Sequence, residues 1–251
     1  MRHSFEQLPL AVQLRDDATF DNFYPGDNAL LLQTLRNQLQ DQLQGRRHDC
    51  LPGQTHQQQS ERYVYLYGSS ASGRSHLLQA ACHRADQLGL NAVYLPLIEL
   101  QQYAPEELFQ GLEQLSLVCL DDVQCVVGQP EWEQQLFHLF NRLLDRQVCF
   151  LISASCAVRE LPVKLADLSS RLSWGAVFHI QNLTDSQRVS LIQLRAERRG
   201  LQLGDDVAQF IYHRCQRDTQ TLLLVLDKLD QASLKQQRRL TVPFVKSTMS
   251  W

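Results

Sequence analysis

The sequence predicts an α/β fold followed by a small all-helical domain, on three observations. Five short runs of strand character, "YVYLY", "AVYLPL", "LSLVCL", "VCFLIS" and "AVFHI", are separated for the most part by helical patterns. Several of these runs are apolar without alternation, as expected of strands covered on both faces by helices, so the sheet they form is parallel. After Ile180 the strand signal stops and only helical periods remain.

Residues 1–26 carry little period and read as an extended arm ending in "FYPGDN", where Asp27 or Asn28 can cap the next helix. Leu31, Leu35, Leu39 and Leu43 then recur as one helical stripe. Residues 45–61, "GRRHDCLPGQTHQQQSE", combine Gly, Pro and a glutamine run without an apolar face and read as a mobile surface loop. Between the third and fourth strands, Trp132, Leu136, Phe140 and Leu143 share a helical face. "TDSQ" at 184–187 is a capping-box arrangement whose helix can run to Gly200, a C′ position. Stripes through Val207, Phe210, Ile211 and Arg214, and through Leu222, Val225, Leu226 and Leu229, precede a last short helix opened near Pro243. The expected organisation is an arm over 1–26, an α/β domain over 27–182 and a helical domain over 183–251.

Composition narrows the function classes. A chain of 251 residues can bury a sizeable core, and a net charge of -3 argues against binding nucleic acid mainly through bulk positive charge. No stretch approaches the roughly 18 apolar residues of a membrane helix, and the N-terminus has no basic region followed by an apolar segment, so a cytoplasmic protein without a membrane partner is expected. The seven cysteines are odd in number and show no CxxC spacing, and Cys119 and Cys149 fall inside apolar runs. They read as small buried hydrophobes rather than disulfides or zinc ligands.

The chemistry is concentrated in "YLYGSSASGRSHLLQ", residues 65–79. Gly68 and Gly73 are spaced as in the phosphate-binding pattern G-x-x-x-x-G-K-[ST], with Ser69, Ser70, Ala71 and Ser72 between them, Ser75 placed to coordinate Mg²⁺, and His76 in the helix after the loop. Backbone N–H groups of such a turn, with the positive end of the helix, cradle phosphate oxygens. Arg74 keeps a cation where the pattern asks for lysine, but a planar guanidinium on a longer stem does not fit the compact slot of an ammonium. Taken alone this loop also reads as a plain turn. "LSLVCLDDV" ends an apolar strand in two carboxylates, as phosphate-loop proteins do to hold Mg²⁺ (Asp121) and orient water (Asp122). That pair alone also reads as a solvated acidic turn; jointly the two motifs point to a nucleotide site.

These motifs, with "FYPGDN", "SGRSHLLQAAC", "LSLVCLDDVQ", "LSSRLSWG" and "RRLTVPFVK", resemble the AAA+ family of the bacterial replication initiator DnaA, and within it the regulatory, DnaA-homologous Hda branch. The resemblance covers nearly the whole chain. It implies a five-stranded parallel sheet in the order 5-1-4-3-2 with a helical lid, and nucleotide between them. It also implies an arginine finger at Arg171, completing the site of a neighbouring molecule. "QLPLAV" looks like a sliding-clamp-binding motif, in which Gln7 makes polar contacts and Leu8, Leu10 and Val12 supply the apolar side, with Val12 a weak pocket filler. On this reading a chain without DnaA's helix-turn-helix domain after the lid is expected.

Two sensor positions depart from the DnaA pattern: Ser155 stands after the fourth strand where DnaA has aspartate, and Gln220 stands where the lid carries an arginine, with Arg217 three residues earlier as the alternative. Together with Arg74, these changes weaken discrimination in favour of a triphosphate. The expectation is a site that holds nucleotide, ADP foremost and with or without Mg²⁺, as a structural ligand, with weak or absent hydrolysis of its own. The implied partners are DnaA, the β sliding clamp of DNA polymerase III and, through the clamp, DNA; self-association stays open. The implied activity is stimulation of DnaA's ATP hydrolysis. A helicase-loader-like AAA+ module and a small-molecule phosphate-loop kinase are the other classes that these motifs admit.

Overall fold

A computed structural model describes residues 13–43, 62–215 and 218–251. The clamp-motif residues Gln7, Leu8, Leu10 and Val12, the loop 45–61 and Arg217 lie outside these described residues. The chain divides into two compact units: one comprises residues up to Phe23 together with Asn28–Ile180, the other Tyr24–Asp27 together with Gln181–Trp251.

In the first unit the elements are α1 (Ala29–Leu43), β1 (Tyr63–Tyr67), α2 (Arg74–Gln87), β2 (Ala92–Pro96), the single turns α3 (Leu97–Leu100) and α4 (Pro105–Leu108), β3 (Leu117–Asp121), α5 (Pro130–Asp145), β4 (Cys149–Ala154), α6 (Ala166–Leu172) and β5 (Ala176–His179). All strand pairs are parallel and the sheet order is β2-β3-β4-β1-β5, the predicted 5-1-4-3-2 read from the other edge. The second strand is shorter than its apolar run, because Pro96 caps α3 and Leu97 already turns into that helix.

Alternate residues of each strand point to opposite faces, and two cores result. Tyr63, Tyr65, Val118, Leu120, Phe150 and Ile152 pack on one face with Trp132, Leu136, Phe140 and Leu143 of α5. Val64, Leu66, Leu117, Cys119, Cys149 and Leu151 pack on the other with Leu31, Leu35 and Leu39 of α1 and Leu77 and Leu78 of α2. Tyr63 meets Phe140 edge-on with ring centroids 4.8 Å apart, and Phe140 meets Phe150 edge-on at 5.2 Å. Burial pushes the Cys149 thiol up to about 12, so it stays neutral and acts as an apolar filler.

The second unit holds α7 (Asp185–Arg198), α8 (Asp205–Arg214), α9 (Thr219–Gln236) and α10 (Val242–Met249). Thr184 and Gln187 form the predicted capping box, and Gly200, at φ +74, ends the turn after α7. Asp218 caps α9 by accepting the Thr221 N–H at 2.8 Å, and Thr241 caps α10, with Pro243 in its first turn. Ile192, Val207, Ile211, Leu222, Leu229 and Phe244 fill the core of this unit. No described helix is long and apolar enough to cross a membrane.

Candidate functional site

The first three site elements stand at the carboxyl ends of parallel strands, where open α/β sheets bind ligands. The loop after β1 runs from Gly68 to Gly73 and delivers the chain into α2. Gly73 has φ +99, and a Cβ there would come within 2.7 Å of Cε2 of Phe23, so both backbone conformation and space require glycine. No side chain caps the N-terminus of this 14-residue helix, so its first N–H groups and their partial positive charge face the loop. Ser72 Oγ is buried without a hydrogen-bond partner, as is Nη1 of Arg74.

Arg74 turns across to the end of β3. Its Nη2 lies 3.0 Å from Asp122 Oδ1, and both side chains are largely enclosed, 11% and 18% exposed. Asp122 sits at φ +58, a left-handed conformation that aspartate tolerates better than most residues. Several bonds hold it there: its N–H donates to Ser153 Oγ at 3.1 Å, and Gln124 Nε2 donates to its Oδ1 at 3.0 Å. The Arg74 and Asp122 charges thus neutralise each other.

Asp121 is 1% exposed and points to the opposite side of the strand, toward α2. Tyr94 donates its phenol to Oδ2 at 2.6 Å, and Ser153 donates its hydroxyl to Oδ1. Burial, then the Asp121 charge, push the Tyr94 phenol well above its ordinary range, while bonds to Gln79 and Ser75 act the other way. Tyr94 therefore remains a proton donor to Asp121, with Ser75 near the same hydroxyl. Among the described residues no group of three or more His, Cys, Asp or Glu could hold a metal ion by itself. A cation at Ser75 and Asp121 would need phosphate oxygens to complete its shell.

Loop, Arg74, Ser75, Asp121 and Asp122 thus converge. Two other predicted positions of this unit, His76 and Ser155, bond elsewhere. His76 directs Nε2 to the Thr19 carbonyl at 2.8 Å, and its ring lies against Phe23. Ser155 stands after β4 as expected, but its N–H donates to Gln124 Oε1, and it is Ser153 that reaches the Asp121 carboxylate and the Asp122 backbone N–H. Ser153 shares a strand face with Cys149 and Leu151, the face that α2 covers, so the period of two could have singled it out. Gln220 stands in the first turn of α9, exposed, in the second unit.

Arg171 lies at the end of α6, over the indole of Trp174, with Cζ 5.4 Å from the ring centroid. Among the described residues no carboxylate pairs with it. The start of the same helix hangs on Glu133, a carboxylate buried in α5. Glu133 accepts the N–H groups of Gly128 at 2.7 Å, Lys164 at 3.0 Å and Leu165 at 2.8 Å, the last being the N-cap residue of α6. Burial raises the Glu133 carboxyl, but these bonds outweigh it and leave its pKa below 4.5. The group binds its proton more tightly in the unfolded chain, so its contribution to stability is complete above pH 4.5 and fades as pH falls below it. Glu133→Gln puts an N–H donor where backbone donors converge. It is expected to cost about 1–3 kcal/mol at neutral pH and to make the acid limb of the unfolding curve shallower, as urea melts across pH 3–7 would read.

The bacterial DnaA ATPase domain family matches residues 53–179, half of the chain, and the Hda lid domain family matches residues 185–249. Among solved structures, domain III of the Thermotoga maritima initiation protein DnaA aligns with a TM-score of 0.71 at 20% identity, covering 95% of this chain and 98% of that one. AMPPCP-bound DnaA from Aquifex aeolicus aligns at 0.68 and 22% identity over 89% of this chain and 67% of its own. The Thermotoga maritima Holliday junction branch migration motor RuvB aligns at 0.63 and 16% over 92% and 73%. These likenesses speak for the fold, and the family matches for kinship: the chain belongs to the bacterial DnaA ATPase domain family, as an Hda-like homologue with an Hda-type lid.

Proposed function

We propose that this chain is a regulatory inactivator of the initiator DnaA: its arm holds the DNA-loaded sliding clamp, and Arg171 stimulates hydrolysis of the ATP bound to DnaA. The observation that supports this most directly is the contrast between two of its arginines. Arg74 is spent internally on Asp122, whereas Arg171 keeps its charge free of any carboxylate among the described residues. A finger in trans neutralises charge developing on the transferred phosphoryl group of the partner's nucleotide.

The chain's own site holds a nucleotide, ADP in preference to ATP, as a ligand that sets conformation. Buried Ser72 Oγ and Arg74 Nη1 without partners, and the uncapped N-terminus of α2, suit an anion there. Ser75 and Asp121 would hold Mg²⁺ with it, and the ion would supply charge neutralisation between phosphates. Asp122, committed to Arg74, is poorly placed to orient water, which agrees with weak hydrolysis in cis.

The test is the turnover of ATP-loaded DnaA with clamp-loaded DNA, with this protein added. Stimulation is expected only when the clamp is on DNA, and Gln7→Ala is expected to lower it about tenfold at limiting protein, the size of one lost anchor contact. Stimulation that ignores both the clamp and Gln7 overturns the clamp link. Equal affinity for ADP and ATP in an equilibrium titration, with turnover like that of an AAA+ motor, overturns the structural-nucleotide reading.

A further inference from the structure

The segment 168–176 is held at several points around the guanidinium it carries. Leu168 and Leu172 are buried in the core on either side of Arg171. Tyr63 donates its phenol to the Leu172 carbonyl at 3.0 Å, Ser173 Oγ donates to the Ser169 carbonyl at 3.0 Å, and the Trp174 N–H donates to the Arg171 carbonyl at 3.1 Å. Gly175 lies directly against Tyr63, and the partly buried Trp174 packs against the core. The Arg171 guanidinium lies over the Trp174 ring.

An arginine on a helix end has a natural alternative partner four residues back, and Asp167 occupies that position. No ion pair forms between them among the described residues. The difference matters chemically. A carboxylate would neutralise the guanidinium and would have to be stripped away before the cation could act on a phosphate. A ring face orients the plane through its quadrupole, leaves the edge N–H donors outward and leaves the full charge in place.

We propose that Trp174 is a positioning residue for the trans-acting Arg171, an aromatic rest that holds the finger in its working direction without quenching its charge. This inference depends on the trans-acting role proposed for Arg171. Trp174 touches neither nucleotide nor phosphate in this role; it acts through Arg171 by removing rotamers that the free side chain would otherwise populate.

The experiment measures DnaA's ATP hydrolysis on clamp-loaded DNA as a function of the concentration of full-length protein, for wild type, Trp174→Leu, Trp174→Phe, Arg171→Ala and the double variant Arg171→Ala with Trp174→Leu. Trp174→Leu is expected to lower the maximal rate roughly five- to tenfold, the size of a cation–π contact, with the half-maximal concentration unchanged. Trp174→Phe restores most of the rate, and adding Trp174→Leu to Arg171→Ala causes no further loss. A purely packing role predicts the opposite on each count: a loss in half-maximal concentration or folded fraction, and no specific rescue by an aromatic ring.

Should Trp174→Leu fail to fold, tryptophan emission decides instead. Arg171→Ala removes the cation above Trp174 and is expected to shift the emission of the chain without moving its melting temperature. Identical spectra, a Trp174→Leu rate equal to wild type, or a phenylalanine variant no better than leucine, each overturns the inference while Arg171→Ala still abolishes stimulation. If Arg171→Ala leaves stimulation intact, it is the trans-acting reading that fails, and this inference falls with it.

Discussion

Arg171→Ala is expected to lower the stimulated rate of DnaA's ATP hydrolysis by about 10³-fold or more, within the 10³–10⁵ range of arginine fingers supplied in trans. The size comes from where the charge acts. Negative charge builds on the transferred group only in the transition state, so a cation delivered there lowers the barrier without tightening the ground state. The variant should therefore keep its half-maximal concentration, its clamp dependence and its melting temperature while losing rate. Arg171→Lys should recover little, because an ammonium presents neither the reach nor the forked donors of a guanidinium. Single-turnover hydrolysis by ATP-loaded DnaA on clamp-loaded DNA reads this directly; a rate within a few-fold of wild type would remove Arg171 from the mechanism.

The second large effect is on stability, in the same segment. Gly175→Ala places a methyl group against the ring and the backbone carbonyl of Tyr63, a wholly buried residue of the interior strand β1. Neither obstacle can swing aside: the ring is packed between Phe140 and Phe150, and the carbonyl belongs to the sheet backbone. Overpacking at a rigid contact costs about 3 kcal/mol, which for a chain of this size lowers the melting midpoint by roughly 10 °C. Differential scanning of Gly175→Ala against wild type measures it. A change of less than about 2 °C would mean that β1 and the segment 168–176 separate more easily than the packing implies.

Both predictions concern a segment that the sequence marks only by its motif. By period alone, "LSSRLSWG" is a short amphipathic turn with an arginine near its end. What makes it rigid comes from far along the chain: Tyr63 in β1 and Glu133 in α5, whose carboxylate collects three backbone N–H groups around the entrance to α6. A glutamate in the first turn of a helix normally reads as a favourable charge facing solvent. Only its burial reveals the other role, and no local pattern encodes that.

The Gly68–Gly73 loop shows the same division. The glycine spacing, the serine after it and the apolar strand ending in two aspartates are legible because each depends on a few neighbouring residues and a backbone turn. The partnership of Arg74 with Asp122 is not legible. As a replacement for lysine, Arg74 reads as a cation facing phosphate; the fold instead directs it to a carboxylate 48 positions away in the chain, at 3.0 Å. The motif points to Ser155 rather than Ser153 for a similar reason. It counts residues past the strand, whereas the contact depends on which face of β4 a residue occupies.

The sequence by itself determined the strand and helix succession, the parallel sheet and its order through family likeness, the capping box of the first lid helix and the place of the glycine-bounded turn between β1 and α2. These rest on hydrophobic period, turn chemistry and motif spacing, all short-range properties of the chain. The tertiary structure alone decided which charges face one another: Arg74 is paired with Asp122, Asp121 is held between Tyr94 and Ser153, and Arg171 rests on a tryptophan with no carboxylate partner among the described residues. The reason is that electrostatic partnership depends on distance and burial across strands that are remote in sequence.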